Sequence, residues 1–166
     1  MTTNEKRTIN ILIIVLIVLG LISIHLIIHP DNAKHKFAIP EFDENVVDGY
    51  PEIDVDLNHF QAVSIDDGYT VSMCGKPSID EDYRIYLYFT SPSDNVVWLR
   101  YIIYDNNGKE LGESGVIKPG QYLKFSKLKR KLEEGETVTV KVISYEPETY
   151  YSHGSANIKI NVNSQK

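Results

Sequence analysis

The 166-residue sequence holds one cysteine, one tryptophan and two methionines. A single cysteine, Cys74, excludes an intrachain disulfide, so packing alone must hold the fold. Basic residues are absent from Glu41 to Asp56, where seven acids stand: Glu41, Asp43, Glu44, Asp48, Glu52, Asp54 and Asp56. Charge of either sign is absent from Ile9 to Ile28. No catalytic or metal-ligating motif stands out anywhere, and no cofactor is expected.

The charge-free stretch, INILIIVLIVLGLISIHLII, is the chain's strongest signal. At ~1.5 Å per residue it makes a helix of about 30 Å, the thickness of a bilayer's hydrocarbon core. It has no polar face, and Pro30 closes it by disfavouring helix at the residue before. It exceeds the usual signal-peptide core, and no A-x-A-like cleavage site follows. The expectation is a retained transmembrane helix over 9–28, a cytoplasmic tail over 1–8 and an extracytoplasmic C-terminal domain at the plasma membrane. Lys6 and Arg7 set that orientation against Lys34 and Lys36 on the far side.

Lys6 and Arg7 leave 15 of the 17 bases beyond the run, and Glu5 leaves 22 of the 23 acids, so the remainder carries a formal −7. That balance argues against a nucleic-acid partner. Residues 29–60 read as an acidic stalk and entry segment, punctuated by Pro40, Gly49 and Pro51. Asp54 to Asn58 resembles the start of a calcium loop, but His59 stands where the turn glycine belongs and Ile65 where a glutamate should close it. No metal is expected there.

From Tyr69 the apolar period becomes two. Strands are expected at Tyr69 to Cys74, Tyr83 to Thr90, Val96 to Asp105, Lys109 to Ile117, Tyr122 to Leu128, Thr137 to Tyr145 and Ala156 to Val162. Within them Ile85, Leu87 and Phe89 oppose Arg84, Tyr86 and Tyr88; Val97, Leu99, Tyr101 and Ile103 oppose Trp98, Ile102 and Tyr104; Leu123 and Phe125 share a face. Asn106-Asn107-Gly108 is a hairpin signal. Seven closely spaced strands leave no room for a covering helix. The expected fold over 61–166 is all-β, a seven-stranded antiparallel immunoglobulin-like β-sandwich, with a small barrel as the alternative.

Trp98-Leu-Arg-Tyr-Ile-Ile-Tyr104, Asn106-Asn-Gly108-Lys-Glu-Leu111, Ser114-Gly115-Val-Ile117 and Pro119-Gly120-Gln-Tyr122 resemble the middle of bacterial immunoglobulin-like domains. Leu132 to Val140 is similar to the E–F corner of fibronectin type III domains, where a Leu, a Gly three later and a Tyr three later form a tyrosine corner. Here Leu132 and Gly135 match and Val138 replaces the tyrosine, so that corner's hydrogen bond is lost. The layout resembles small single-pass surface proteins of Firmicutes, some encoded near conjugation or secretion genes. The resemblance implies a location and a fold, not a chemistry.

The loop from Tyr145 to Gly154 is the leading binding candidate, through Tyr145, Glu146, Glu148, Tyr150, Tyr151 and His153. Tyrosines offer contact area at little entropic cost and a hydroxyl to hydrogen-bond. Arg84, Tyr86 and Tyr88 form a second patch if their face is exposed. The basic patch Lys124, Lys127, Lys129, Arg130 and Lys131 suits an anionic wall polymer, an acidic partner or the chain's own residues 41–56. Cys74 with His153 is the one nucleophile–base pair to consider. In sortases a Thr-Leu-x-Thr-Cys strand follows the histidine, whereas here Cys74 comes first, after Thr-Val-Ser-Met. The expected function is a membrane-anchored binding or scaffold module of a surface assembly with protein partners, and not an enzyme. A wall-glycan-binding module is the alternative, and an anchored cysteine hydrolase the remote one.

Overall fold

The computed structural model describes residues 15–18, 20, 40–53, 59–66 and 68–164. The chain divides into two units, Met1–Ala38 and Ile39–Lys166. Of the first, only residues 15–18 and 20 are described, and they are helical. The expected span over 9–28 therefore lies largely outside the described residues. Among the described residues no helix is long and apolar enough to cross a membrane.

The second unit is built of short strands. In chain order these are β1 (Val47–Asp48), β2 (Phe60–Ile65), β3 (Tyr69–Cys74), β4 (Ser78–Ile79), β5 (Arg84–Ile85) and β6 (Phe89–Ser91). There follow β7 (Trp98–Tyr104), β8 (Glu110–Glu113), β9 (Gln121–Leu123) and β10 (Ser126–Lys127). The last three are β11 (Thr137–Tyr145), β12 (Ser152–Asn161) and β13 (Asn163–Ser164). A five-stranded sheet runs β1-β9-β6-β3-β2, a four-stranded sheet β12-β11-β7-β8, and a second four-stranded sheet β10-β5-β4-β13. All neighbouring pairs are antiparallel except β4 with β13.

The period-two pattern explains why the sheets close on one another. Val97, Leu99, Tyr101 and Ile103 point inward and are at most 5% exposed, as are Val138, Val140 and Val142 of β11. Val71 and Met73 of β3, Phe89 of β6 and Leu123 of β9 join the same core from the five-stranded sheet. The Phe89 and Tyr101 rings meet edge-on at 4.7 Å between those two sheets. The result is an all-β, sandwich-like fold. Val138 is fully buried, so the position that a tyrosine corner would use is filled by core packing.

Several expected strands are broken where the chain changes sheet. The expected strand from Tyr83 to Thr90 splits into β5, which pairs with β4 and β10, and β6, which pairs with β3 and β9. Tyr88 sits at the switch in a left-handed conformation, φ 47°. The expected strand from Tyr122 to Leu128 splits in the same way into β9 and β10, beside it. Such bends form the corners by which one strand serves two sheets. Because of the second bend, Leu123 is buried whereas Phe125 is 37% exposed, so the two do not share the inner face. Ile85, Leu87 and Phe89 stay fully buried despite the first. β1, β2, β4 and β13 appear where no strand was expected.

The acidic entry segment is built into the fold from Glu41 onward. Asp43 N–H donates to Val116 O at 3.0 Å and Val116 N–H to Glu41 O at 2.8 Å, while Gly115 N–H donates to Asp43 Oδ2 at 2.8 Å. β1 then pairs with β9 at one edge of the five-stranded sheet, and β2 lies at the opposite edge. Just after β1, Pro51 is buried and the Tyr50 ring meets that of Phe60 at 5.6 Å.

Candidate functional site

The hairpin between β11 and β12 turns at the end of the sheet where Tyr145 lies opposite Trp98 of β7. A register shift at Ser144/Tyr145 lets the loop from Glu146 to Tyr151 fold back toward that end. Glu146 organises the loop. Its N–H donates to Tyr151 O at 3.0 Å, its carbonyl accepts from Tyr150 N–H at 2.8 Å, and its Oε2 accepts from Thr149 Oγ1 at 2.8 Å. Tyr150 takes a left-handed backbone, φ 59°, and its ring meets Trp98 edge-on at 5.2 Å.

Trp98 also receives Phe42 from the entry segment, edge-on at 4.9 Å. Lys118 Nζ stands 4.8 Å from the Phe42 ring centre and 5.8 Å from that of Trp98, within cation–π range. The outcome is a row of rings, Tyr150, Trp98 and Phe42, ending in a cation. Tyr151 is 63% exposed beside Tyr150, and Val96 is 77% exposed beside Trp98 on the chain. Glu148 and His153 are exposed in the same hairpin, with His153 Nδ1 3.7 Å from Glu146 Oε1. Of the six hairpin residues singled out from sequence, Tyr150 joins the row, Tyr151 flanks it and Tyr145 lies opposite Trp98. Glu146 serves the loop's own structure. Phe42 and Lys118 were missed, because nothing in the acidic run marks Phe42 as reaching a residue 56 positions on. Trp98 was legible only as an outward position of its strand.

Arg84 and Tyr86 are tied down together. Asp80 Oδ2 accepts from Arg84 Nε at 2.7 Å and from the Tyr86 hydroxyl at 2.9 Å, and Asp82 lies 3.0 Å from the guanidinium. Burial works to raise the Asp80 pKa, but the hydrogen bonds from Arg84 and Tyr86 outweigh it and hold the carboxyl below its usual range. Phe125 packs on both, 5.3 Å from the guanidinium carbon and 5.8 Å from the Tyr86 ring. This patch is half-exposed, and its one cation is already paired with two carboxylates.

The basic run is divided rather than pooled. Lys129 pairs with Glu110, and Arg130 with Glu136 and Asp105. Lys127 and Lys131 are exposed. Lys124 lines a cleft of about 330 Å³ with Asp48, Tyr50, Glu52, Tyr88 and Tyr122. Lys124 thus shares that cleft with two acids of the entry segment, Asp48 and Glu52, while the Tyr88 ring also stays 6.4 Å from that of Tyr86 in the Arg84 patch.

Cys74 is fully buried in β3, and burial pushes its thiol up to about 11. Nucleophilic cysteines need the opposite shift. The Asp54 to Asn58 stretch lies outside the described residues, and among the described residues no group of three or more potential metal ligands assembles. Comparison with known proteins adds nothing to this geometry, since no family model, no curated protein and no solved structure matches the chain.

Proposed function

We propose that the chain is a single-pass membrane protein, anchored through 9–28 with its N-terminus cytoplasmic. Its extracytoplasmic immunoglobulin-like sandwich binds a protein partner within a surface or membrane assembly. The observation that carries this reading is the partly exposed ring row Phe42, Trp98 and Tyr150, flanked by Tyr151 and Val96. Large rings fixed before contact supply buried area at low entropic cost, and such residues dominate protein interfaces. Lys118 over Phe42 and Trp98 gives the row a charged edge, the usual complement to an apolar centre.

The test places a photo-crosslinking residue at Tyr151 or, as control, at Asn161 on the far end of β12, in the full chain in its native membrane. A discrete crosslinked partner at 151 that is absent at 161 and lost in Trp98→Ala is the expected result. Equal labelling at both positions would refute the surface. Protease accessibility of the domain in intact cells tests the orientation, and protection there would overturn it.

A further inference from the structure

The cleft between residues 48–52 and the bend from β5 to β6 shares no residue with the aromatic row. We infer that it is a saccharide site, taking one or two rings of a neutral glycan. Its walls are set by sheet geometry. β1 pairs Asp48 with Gln121 and Val47 with Tyr122, and Gln121 Nε2 donates to Asp48 Oδ1 at 2.9 Å, fixing that carboxylate. Tyr88 is pinned through both of its backbone groups: its N–H donates to Lys124 O at 3.1 Å, and its carbonyl accepts from Thr90 Oγ1 at 2.8 Å. Tyr50 and Glu52 come from the connection leaving β1.

Two independent observations point to a ligand. The first is the backbone of Tyr88, φ 47°, a region that a bulky side chain adopts only when its surroundings force it, and which glycine would occupy without strain. The bend needs that φ, but it does not need a tyrosine, and Tyr88 lines the cleft while its ring lies 6.4 Å from that of Tyr86. The second is the composition of the walls. Three tyrosines surround a space of about 330 Å³, at the small end of ligand pockets, with two carboxylates and one ammonium.

Chemistry narrows the class. A cation would meet Lys124, an anion would meet Asp48 and Glu52, and an apolar ligand would strip water from all three. A neutral pyranose satisfies every wall. Its hydroxyls donate to the carboxylates and accept from Lys124, while its C–H face stacks on a tyrosine ring. Such a site would let the same domain hold a partner at one end and a glycan at this cleft.

The test uses the full chain in a polyoxyethylene detergent, since maltoside headgroups would compete. Retention on resins bearing cellotriose, chitotriose, maltotriose or mannotriose is measured, with a lysine-rich peptide and a polyphosphate as charged probes. The expected result is retention on at least one trisaccharide, about tenfold weaker for Glu52→Gln, lost for Tyr122→Ala, and unchanged for Tyr151→Ala. Tyr88→Gly separates folding from binding: it relieves the backbone and keeps the cooperative unfolding transition, yet loses retention. Absence of retention on all four trisaccharides, retention that survives these changes, or binding of a charged probe alone overturns the assignment. None of these outcomes bears on crosslinking at Tyr151, so failure of this site and failure of the protein-binding reading are distinguishable.

Discussion

Gly115→Ala should uncouple the entry segment from the domain and expose the tryptophan. A Cβ at 115 would stand 2.5 Å from Asp43 N, 2.6 Å from Asp43 Cα and 2.8 Å from Phe42 C. All three neighbours are backbone or its carbons, so no side chain can rotate away. Overpacking of this kind costs about 1–3 kcal/mol when the backbone shifts to absorb it. If the segment lifts off instead, the three hydrogen bonds joining 41–43 to 115–116 are lost at about 1 kcal/mol each, as is the Phe42–Trp98 contact at about 1 kcal/mol. Regained backbone freedom offsets part of that loss, which brings the two routes into the same range.

Trp98 is the protein's one tryptophan, so its fluorescence reports on this site alone. Gly115→Ala should lower the denaturant midpoint, shift Trp98 emission to longer wavelength and raise its quenching by iodide. Phe42→Ala should reproduce the emission change with a smaller loss of stability, because the backbone bonds remain. Gly108→Ala is the control: a Cβ there meets nothing within 4 Å, and only its φ of +76° is strained, so stability falls while emission holds. A Gly115→Ala protein with wild-type emission and midpoint would refute the packing argument.

Acid should destabilise the domain through Asp80, Asp105 and Glu136. Each has a folded pKa below its ordinary value: Asp105 through backbone N–H groups of Lys109 and Asn107, and Glu136 through Arg130. The unfolded chain therefore binds more protons, so these groups' contribution is present above the unfolded carboxylate range near 4 and is lost as pH falls through the depressed values. Denaturant midpoints from pH 7 to 2 test this, and Asp105→Asn should flatten the slope. Cys74 should resist iodoacetamide at pH 8 in the native protein and react in denaturant, since it is buried with its thiol raised to about 11; rapid native labelling would contradict this. Tyr83→Asn should stabilise by about 0.5–1 kcal/mol in thermal unfolding, because Tyr83 is 41% exposed with φ 62° and asparagine tolerates that conformation.

What was legible in the sequence was whatever alternation alone decides. β3 and β11 match the expected boundaries, and the inward faces of Ile85-Leu87-Phe89 and Val97-Leu99-Tyr101-Ile103 follow directly from period two. What stayed hidden depends on contacts between distant segments. Phe42 reaches Trp98 because 41–43 bond to 115–116, and Asp48 and Glu52 reach the Tyr88 cleft because β1 pairs with β9, both registers over 70 residues that no local pattern encodes. The break at Tyr88 was hidden for a different reason. A positive φ is normally announced by glycine or asparagine, and a tyrosine there reads as ordinary strand. That mismatch is itself informative. Where local propensity and the observed backbone disagree, some other demand has overridden propensity, and such conflicts gather at functional sites. His59, Tyr83, Tyr88 and Tyr150 are all in this state. Tyr150 serves the aromatic row and Tyr88 the cleft. Tyr83 and His59 share the anomaly outside both proposed surfaces, so φ alone does not mark a site, and replacing Tyr88 and Tyr150 in turn with glycine separates what the fold requires from what a ligand does.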